Sequence, residues 1–374
     1  FAGANSSEAA TVAGSLGNDT VGVTFSGGNI SGFQLNGGSG ADALTFTNAG
    51  VVLTAASANI INGGSGADTI TFNLGANLAV TGASGFVADL GGDAGGVIDV
   101  NLSAALTART GAGAFFRGTT TGDDIDVSNQ TGANGLFNVT FSAEDGADTI
   151  TLETESGGRY SATNFNAGSG ADLITAQLGI NTNFAVATGG RLAFDGGSGS
   201  DTIVLNAETG STISAGLFDG NAGTDSISLN VLSGGTIAVV NSGTELAGGL
   251  GNDTISINGE NATTIAAVIR AGDGNDLITG TIASGGVTNG AFTANAGDGA
   301  DTIAFTYTAA ASGGITILGA QGGVFDGGSG VDSITVVGAA VSGGTFNFGL
   351  IQGGEGNDTI TFGGQLGQTA DVGN

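Results

Sequence analysis

The stretch Gly-Gly-Ser-Gly-Ala-Asp occupies residues 37–42 and recurs unchanged at residues 63–68, and near-copies of it continue almost to the end of the chain. A degenerate copy at residues 91–96 has glycine where the other copies have aspartate. Neighbouring copies lie 23 to 31 residues apart, about 26 on average. A near-constant period in this range is typical of proteins built from stacked coils. Aligned on their last residue, the copies end at Asp19, Asp42, Asp68, Asp124, Asp148, Asp172, Asp201, Asp225, Asp253, Asp276, Asp301, Asp332 and Asp358.

The residues around each aspartate alternate between apolar and polar. Leu44 and Phe46 follow Asp42 with a threonine between them, and a further apolar residue, here Leu35, stands seven positions before the aspartate. This alternation indicates half-buried strands, and the glycines between them indicate a turn whose backbone needs positive φ. The repeat therefore predicts an all-β, right-handed parallel β-solenoid of about 14 coils with two or three short strands each. We expect one elongated domain over residues 1–374.

The composition excludes several classes of function. The chain has 33 acidic residues and five arginines, with no lysine, histidine, cysteine or methionine, and its formal charge is −28. Such a field repels nucleic acid and anionic lipid and attracts cations. No apolar run is long enough to cross a bilayer. Without His, Cys or Lys the usual catalytic bases and nucleophiles are missing, so we expect no enzyme, no nucleic-acid partner and no membrane insertion.

Each turn offers oxygen atoms that suit calcium, namely one aspartate at a fixed place and backbone carbonyls beside glycine. Stacked coils bring neighbouring carboxylates within about 5 Å, where they repel by roughly 0.8 kcal/mol per pair in water and about 3 kcal/mol at an effective dielectric of 20. A divalent ion between each pair would reverse the sign, and thirteen such ions would carry +26 against the −28 of the chain. The alternative is that the aspartates only form turns and are solvated.

Several turns carry a second acid three residues before the repeat aspartate. These residues are a second set of candidate ligands, but a solvated edge explains them equally well. The candidate ligands of this second set are Asp93, Asp145, Asp273 and Asp298.

The motif Gly-Gly-x-Gly-x-Asp-x-U-x, in which U is a large apolar residue, resembles the nonapeptide of the RTX (repeats-in-toxin) calcium-binding family. Residues 37–45, 196–204, 327–335 and 353–361 fit it. The resemblance implies a parallel β-roll with calcium held between successive turns by the aspartate carboxylate and glycine carbonyls. It also implies secretion and calcium-triggered folding. Family repeats usually follow each other every nine residues, whereas this chain has one per coil, so we expect one calcium row, with up to about one ion per gap between coils.

A secreted structural role is the function that these features favour. The end coils of a solenoid expose unpaired strand edges, and a head-to-tail or lateral contact between copies of the chain would build a filament, sheath or surface layer outside the cell. The alternative is a stalk, adhesive or ice-binding segment of a larger secreted adhesin, because threonine often follows the aspartate, as at Thr69 and Thr202. We expect the arginines to form surface ion pairs and the phenylalanines to fill the core.

Overall fold

The computed structural model describes residues 10–53, 59–80, 85–92, 94–108, 113–129, 135–184, 192–213, 216–232, 236–237, 244–260, 264–265, 267–283, 287–288, 292–308, 316–317, 323–338, 345–346 and 348–363. The chain divides into two compact units, residues 1–195 and residues 196–374. The single domain expected over the whole chain stays a prediction.

The strands of the first unit form three parallel sheets, and each coil contributes one strand to each sheet. The first sheet contains, in order, β1 (Thr11–Leu16), β4 (Gln34–Ser39), β7 (Asn59–Ser65), β10 (Phe86–Asp89), β13 (Ala114–Thr119), β16 (Val139–Glu144) and β19 (Asn164–Gly170). The second sheet contains β2 (Thr20–Phe25), β5 (Ala43–Asn48), β8 (Thr69–Leu74), β11 (Val97–Leu102), β14 (Asp124–Asn129), β17 (Thr149–Ser156) and β20 (Leu173–Ile180). The third sheet contains β3 (Gly28–Ile30), β6 (Val51–Leu53), β9 (Leu78–Val80), β12 (Leu106–Ala108), β15 (Gly135–Phe137), β18 (Arg159–Ser161) and β21 (Asn183–Phe184).

The second unit repeats this plan, and β22 (Leu192–Gly199) contains the boundary between the units. Its first sheet contains β25 (Gly216–Gly223), β28 (Thr244–Leu250), β31 (Ala267–Asp273), β34 (Thr293–Gly299), β37 (Gly323–Gly330) and β40 (Phe348–Gln352), and β41 (Glu355–Gly356) also pairs with β37. Its second sheet contains β23 (Thr202–Ala207), β26 (Ser226–Val231), β29 (Thr254–Gly259), β32 (Leu277–Ala283), β35 (Thr302–Thr308), β38 (Ser333–Gly338) and β42 (Thr359–Gly363). Its third-sheet strands are β24 (Thr212–Ile213), β27 (Thr236–Ile237), β30 (Thr264–Ile265) and β33 (Val287–Thr288), and β36 (Thr316–Ile317) pairs with β39 (Thr345–Phe346).

The all-β parallel solenoid expected from the repeat is confirmed in each unit. No described residue lies in a helix, and a helix able to span a bilayer is accordingly missing from the described part of the chain. A coil contains three strands where the pattern allowed two or three. Parallel stacking places equivalent residues of successive coils side by side, so a sequence period becomes a row in space.

The core consists of such rows. The apolar residue two positions after each repeat aspartate forms one row, in which Leu44 pairs with Ile70 and Ile70 with Ile98. A second row contains the apolar residue seven positions before the aspartate, and Leu35 and Ile61 in it are fully buried. In the first unit aromatic rings stack along the coils, with centroids 4.7 Å apart for Phe46 and Phe72 and 5.0 Å for Phe141 and Phe165. The phenylalanines named here are core residues, as expected.

Two of the arginines bridge neighbouring coils on the outside of the first sheet. Arg117 lies 3.4 Å from Asp89 and 3.5 Å from Glu144. In the second unit, Arg270 pairs with Glu245. The expected surface ion pairs are therefore confirmed for these two arginines, whereas Arg109 and Arg191 lie outside the described residues.

Candidate metal sites in the turns

The repeat aspartates lie in the turn between the first and second sheets, and we call the six residues that end at each repeat position a corner. Their side chains point into the corner and not to solvent. Asp42, Asp148 and Asp253 are each about 2 % exposed, whereas Asp19 and Asp358, in the first and last coils that the structure describes, are half-buried. The other repeat aspartates that are buried in the same way are Asp68, Asp172, Asp201, Asp225, Asp276, Asp301 and Asp332.

A ladder of hydrogen bonds joins these aspartates from coil to coil. The backbone N–H of Asp42 donates to Oδ1 of Asp68 at 2.8 Å, and that of Asp225 donates to Oδ1 of Asp253 at 2.8 Å. The other bonds of this kind within a unit are 2.6 to 3.0 Å long. Each carboxylate thus satisfies a backbone donor that would otherwise be buried without a partner.

One coil is in a different register from the alignment of the sequence. Asp123, not Asp124, donates to Asp148 and accepts the N–H of Gly96, and Asp123 is buried whereas Asp124 is exposed at the start of β14. The prediction of Asp124 as the repeat position was therefore wrong. The alternation rule would have found Asp123, because the apolar Ile125 stands two residues after it.

The corner is narrow because its backbone turns through glycine. Gly38 and Gly40 have φ of +111° and +128°, in the left-handed region that side chains avoid. Gly37 is needed for space instead: a Cβ there would lie 2.5 Å from Oδ2 of Asp42 and 2.3 Å from the carbonyl oxygen of Gly63. The residue five positions before the aspartate is small in the other corners too, as with Ala143 and Ala271. Both oxygens at Gly37 therefore face the same space.

The second carboxylate oxygen has the surroundings expected of a cation ligand. Within the described residues, Oδ2 makes no hydrogen bond although it is buried at Asp42, Asp68, Asp148, Asp225, Asp253, Asp276, Asp301 and Asp332. A buried charged oxygen without a partner is costly, and a divalent ion would satisfy it. In the described part of the chain, no group of three or more acidic side chains is arranged so that the side chains alone could hold a metal ion. A calcium ion would thus be held by Oδ2 together with backbone carbonyls such as that of Gly63, a donor set that calcium accepts.

The ionisation of these aspartates reflects the same burial. Removal from water raises the pKa of Asp148 to about 7, and repulsion from Asp172 and Asp123 adds to the shift. Burial likewise raises the pKa of Asp225 to about 7 and that of Asp276 to about 6, with neighbouring carboxylates contributing. The charged form is therefore disfavoured in the corner unless a cation compensates it.

The second set of acids does not share these surroundings. Asp145, Asp273 and Asp298 are exposed on the outside of the corner. The hydroxyl of Ser169 donates to Asp145, and that of Ser329 donates to Asp298 at 2.7 Å. The structure does not place these three residues in the row of buried repeat aspartates, and Asp93 lies outside the described residues. Their role as ligands stays a prediction.

A group of acids that the repeat did not indicate lies on the outer face of the second sheet in the first unit. Asp99, Asp126 and Glu153 line a hollow of about 300 Å³ together with Asn101 and Ser128. Burial and the charge of Asp126 raise the pKa of Asp99. Asp99 and Asp126 interrupt a row of threonines that contains Thr45, Thr71 and Thr151, which is the signal that the sequence offered.

Comparison with known proteins agrees with this geometry. The family model described as the RTX calcium-binding nonapeptide repeat (4 copies) matches residues 51–79, 267–282 and 350–365. Each matched segment contains one complete corner, ending at Asp68, Asp276 and Asp358. No curated protein and no solved structure matches the chain. The chain carries RTX calcium-binding nonapeptide repeats, placed in the corners of a parallel β-solenoid.

Proposed function

We propose that this chain is a calcium-stabilised structural protein of the RTX type, which works outside the cell. The row of buried Oδ2 atoms without a hydrogen-bond partner is the observation that carries the proposal. Bound calcium supplies positive charge to the corner, and Oδ2 with the neighbouring carbonyls holds it there. RTX repeats are typical of secreted proteins, and millimolar calcium outside cells would keep the stack folded, whereas low calcium inside would leave its carboxylates repelling each other.

Equilibrium dialysis and circular dichroism on the whole chain test this proposal. We expect several calcium ions per chain and a β spectrum that appears with millimolar calcium and weakens in a chelator. Magnesium at the same concentration is the matched control, because its strict octahedral geometry fits irregular carbonyl sites poorly. A chain that binds no calcium, or that shows the same β spectrum and melting temperature in chelator, would overturn it.

We further propose that copies of the chain assemble through the first and last coils that the structure describes. In the first coil Val12 and Val21 are half-buried, whereas the equivalent Leu35 and Leu44 one coil further on are buried. In the last coil Ile360 is half-buried, whereas the equivalent Ile334 is buried. A contact between unlike ends does not close on itself and produces a filament. This supports a subunit of an extracellular filament, sheath or surface layer.

Negative-stain imaging of the whole chain, with calcium and with chelator, tests assembly. We expect filaments or sheets only with calcium. Val21→Lys, which places a charge in the end of the first coil, should stop end-to-end growth, and Thr20→Lys on the exposed outer face of the same strand is its matched control. Isolated particles under both conditions would overturn assembly and favour the stalk or adhesive alternative.

A further inference from the structure

We infer that the small residue at the start of the corner, the residue after it and the repeat position itself decide which corners take a cation, and that two consecutive corners within the first unit take none. One is the corner in which Leu90, in register with Gly63, and Gly96, in register with Asp68, replace the small residue and the aspartate; it has one additional residue and runs from Leu90 to Gly96. The other is the corner Gly118–Asp123. The inference rests on the proposed calcium binding, and it divides the metal row of the first unit into two segments, one on each side of these corners.

In the first of these corners a leucine side chain replaces the carboxylate. Asp89 pairs with Asn62 in the register of β10 and β7, so Leu90 stands where the preceding coil has Gly63. Leu90 is 1 % exposed, and its two methyl groups lie 3.0 and 3.1 Å from the point where a Cβ of Gly96 would be. The large and the small side chain have therefore changed places in this corner. Leucine lies against glycine here, whereas in the other corners glycine or alanine lies against the repeat aspartate. An apolar side chain supplies no ligand to a cation.

In the second corner the carboxylate is present but its second oxygen already has partners. The N–H of Thr119 donates to Oδ2 of Asp123 at 2.6 Å, and its hydroxyl approaches the same oxygen at 3.1 Å. Residue 119 stands four positions before the aspartate and does not have positive φ. In the corners whose Oδ2 lacks a partner, the residue at that place has positive φ, as with Gly38, Glu144 and Asn221. Positive φ at this position is thus the feature that accompanies an open carboxylate oxygen.

The same two coils obtain positive charge from the chain itself. Arg117 directly precedes the second corner and pairs with Asp89 of the coil before and Glu144 of the coil after. The rings of Phe72, Phe86 and Phe116 pack together beneath, with centroids 5.1 to 5.8 Å apart. The described residues between 85 and 129 therefore form a segment closed by leucine, threonine and arginine, whereas corners such as those of Asp42, Asp68 and Asp148 have a buried Oδ2 without a hydrogen bond. By the same rule the first corner is closed, because the N–H of Ser15 donates to Oδ2 of Asp19 at 2.8 Å.

Two measurements on the whole chain locate the ions and the metal-free structure. In crystals grown with calcium, anomalous scattering should show calcium at corners such as those of Asp42 and Asp253 and none at Leu90–Gly96 or Gly118–Asp123. In chelator, amide hydrogen exchange should be slower within residues 85–129 than in the corners of Asp42 and Asp68. Calcium at either closed corner, or equal exchange in chelator, would overturn the inference. Absence of calcium from every corner would instead overturn the proposed function.

A single substitution tests the rule itself. Thr119→Gly removes the hydroxyl that contacts Oδ2 of Asp123 and permits positive φ at residue 119, which would turn the backbone N–H away from that oxygen as in the open corners. The number of bound calcium ions should then rise by one in equilibrium dialysis. Thr140→Gly, in the next strand of the same sheet and outside a corner, is the matched control and should leave the number unchanged. An unchanged count in a folded Thr119→Gly protein would show that residue 119 does not control binding.

Discussion

Two rows of acidic residues run along the corners, three positions apart in sequence and opposite in surroundings. Asp276 is buried and accepts the N–H of Asp253, whereas Asp273 is exposed on the outside of the same corner. Gly274, with φ of +137°, lies between the two residues and turns the backbone so that one side chain faces inward and the other outward. The comparison shows that composition does not define a site here. The same carboxylate is a buried acceptor in one row and a solvated surface group in the other.

Removal of calcium should have the largest effect on stability, and this effect should depend on the ionisation of the buried repeat aspartates. The pKa values of Asp148 and Asp276 are raised to about 7 and about 6 in the folded protein, whereas an aspartate in the unfolded chain has a pKa near 4. Between about pH 4 and pH 7 the metal-free folded state therefore binds more protons than the unfolded state. The free energy of unfolding in chelator should therefore fall as pH rises from about 4 to 7. Thermal melts in chelator at pH 5 and pH 8 measure this.

Calcium should reverse that dependence, because ions and protons compete for the same oxygens. With millimolar calcium the melting temperature should rise between pH 5 and pH 8. A metal-free protein whose melting temperature also rises over this range would contradict the raised pKa values.

The second largest effect is expected from substituting one buried repeat aspartate, and the same substitution in the exposed row should have little effect. Asp253→Ala leaves the N–H of Asp225 without its acceptor, and we expect the calcium-bound protein to lose about 1–3 kcal/mol and to bind fewer ions. Asp253→Asn retains an acceptor without the charge, so it should lose calcium but less stability in chelator. Denaturant unfolding and equilibrium dialysis check both variants.

Asp273→Ala is the matched control from the outward row. We expect its stability to stay within about 0.5 kcal/mol of the unchanged protein. A loss of calcium from this variant would show that the outward row also provides ligands.

Substitution of Gly38, which has positive φ in the corner that ends at Asp42, should have a smaller but measurable effect on stability. Gly38→Ala forces a side chain to φ of +111° and brings its Cβ to 2.2 Å from the carbonyl oxygen of Ser15, and we expect a loss of more than about 1 kcal/mol. Gly22→Ala, in a strand with open space beside it, should change stability by less than about 0.5 kcal/mol. Denaturant unfolding in calcium compares the two, and equal losses would show that φ does not aim the aspartate.

The smallest effect is expected at the outer surface. Arg270 is 60 % exposed and pairs with Glu245, so Arg270→Ala should cost no more than about 1 kcal/mol. Thermal melts at low and high salt measure it, and a salt-independent loss would indicate lost packing in place of lost charge.

The sequence predicted which residues form rows along the coils, but it did not predict whether the acidic side chains of a row point into the corner or to solvent. The spacing of Leu35, Asp42 and Leu44 is enough to place strands, turn and core, because parallel stacking converts each period into a row. The inward aim of Asp42 depends on the positive φ of Gly38 and Gly40, and a pattern of letters does not show how two such residues reset the alternation. Asp123 and Asp124 are adjacent, and the repeat interval alone does not distinguish them, so the repeat position depends on the buried Ile125 two residues after Asp123.

The hydrogen-bond ladder has a direction, since each aspartate N–H points to the carboxylate of the following coil. The smallest piece of chain that can be gained or lost without breaking this pattern is therefore one whole coil. Gene duplication of a single coil would supply its own donor, acceptor and apolar rows at once. Such a protein can change length in steps of one repeat.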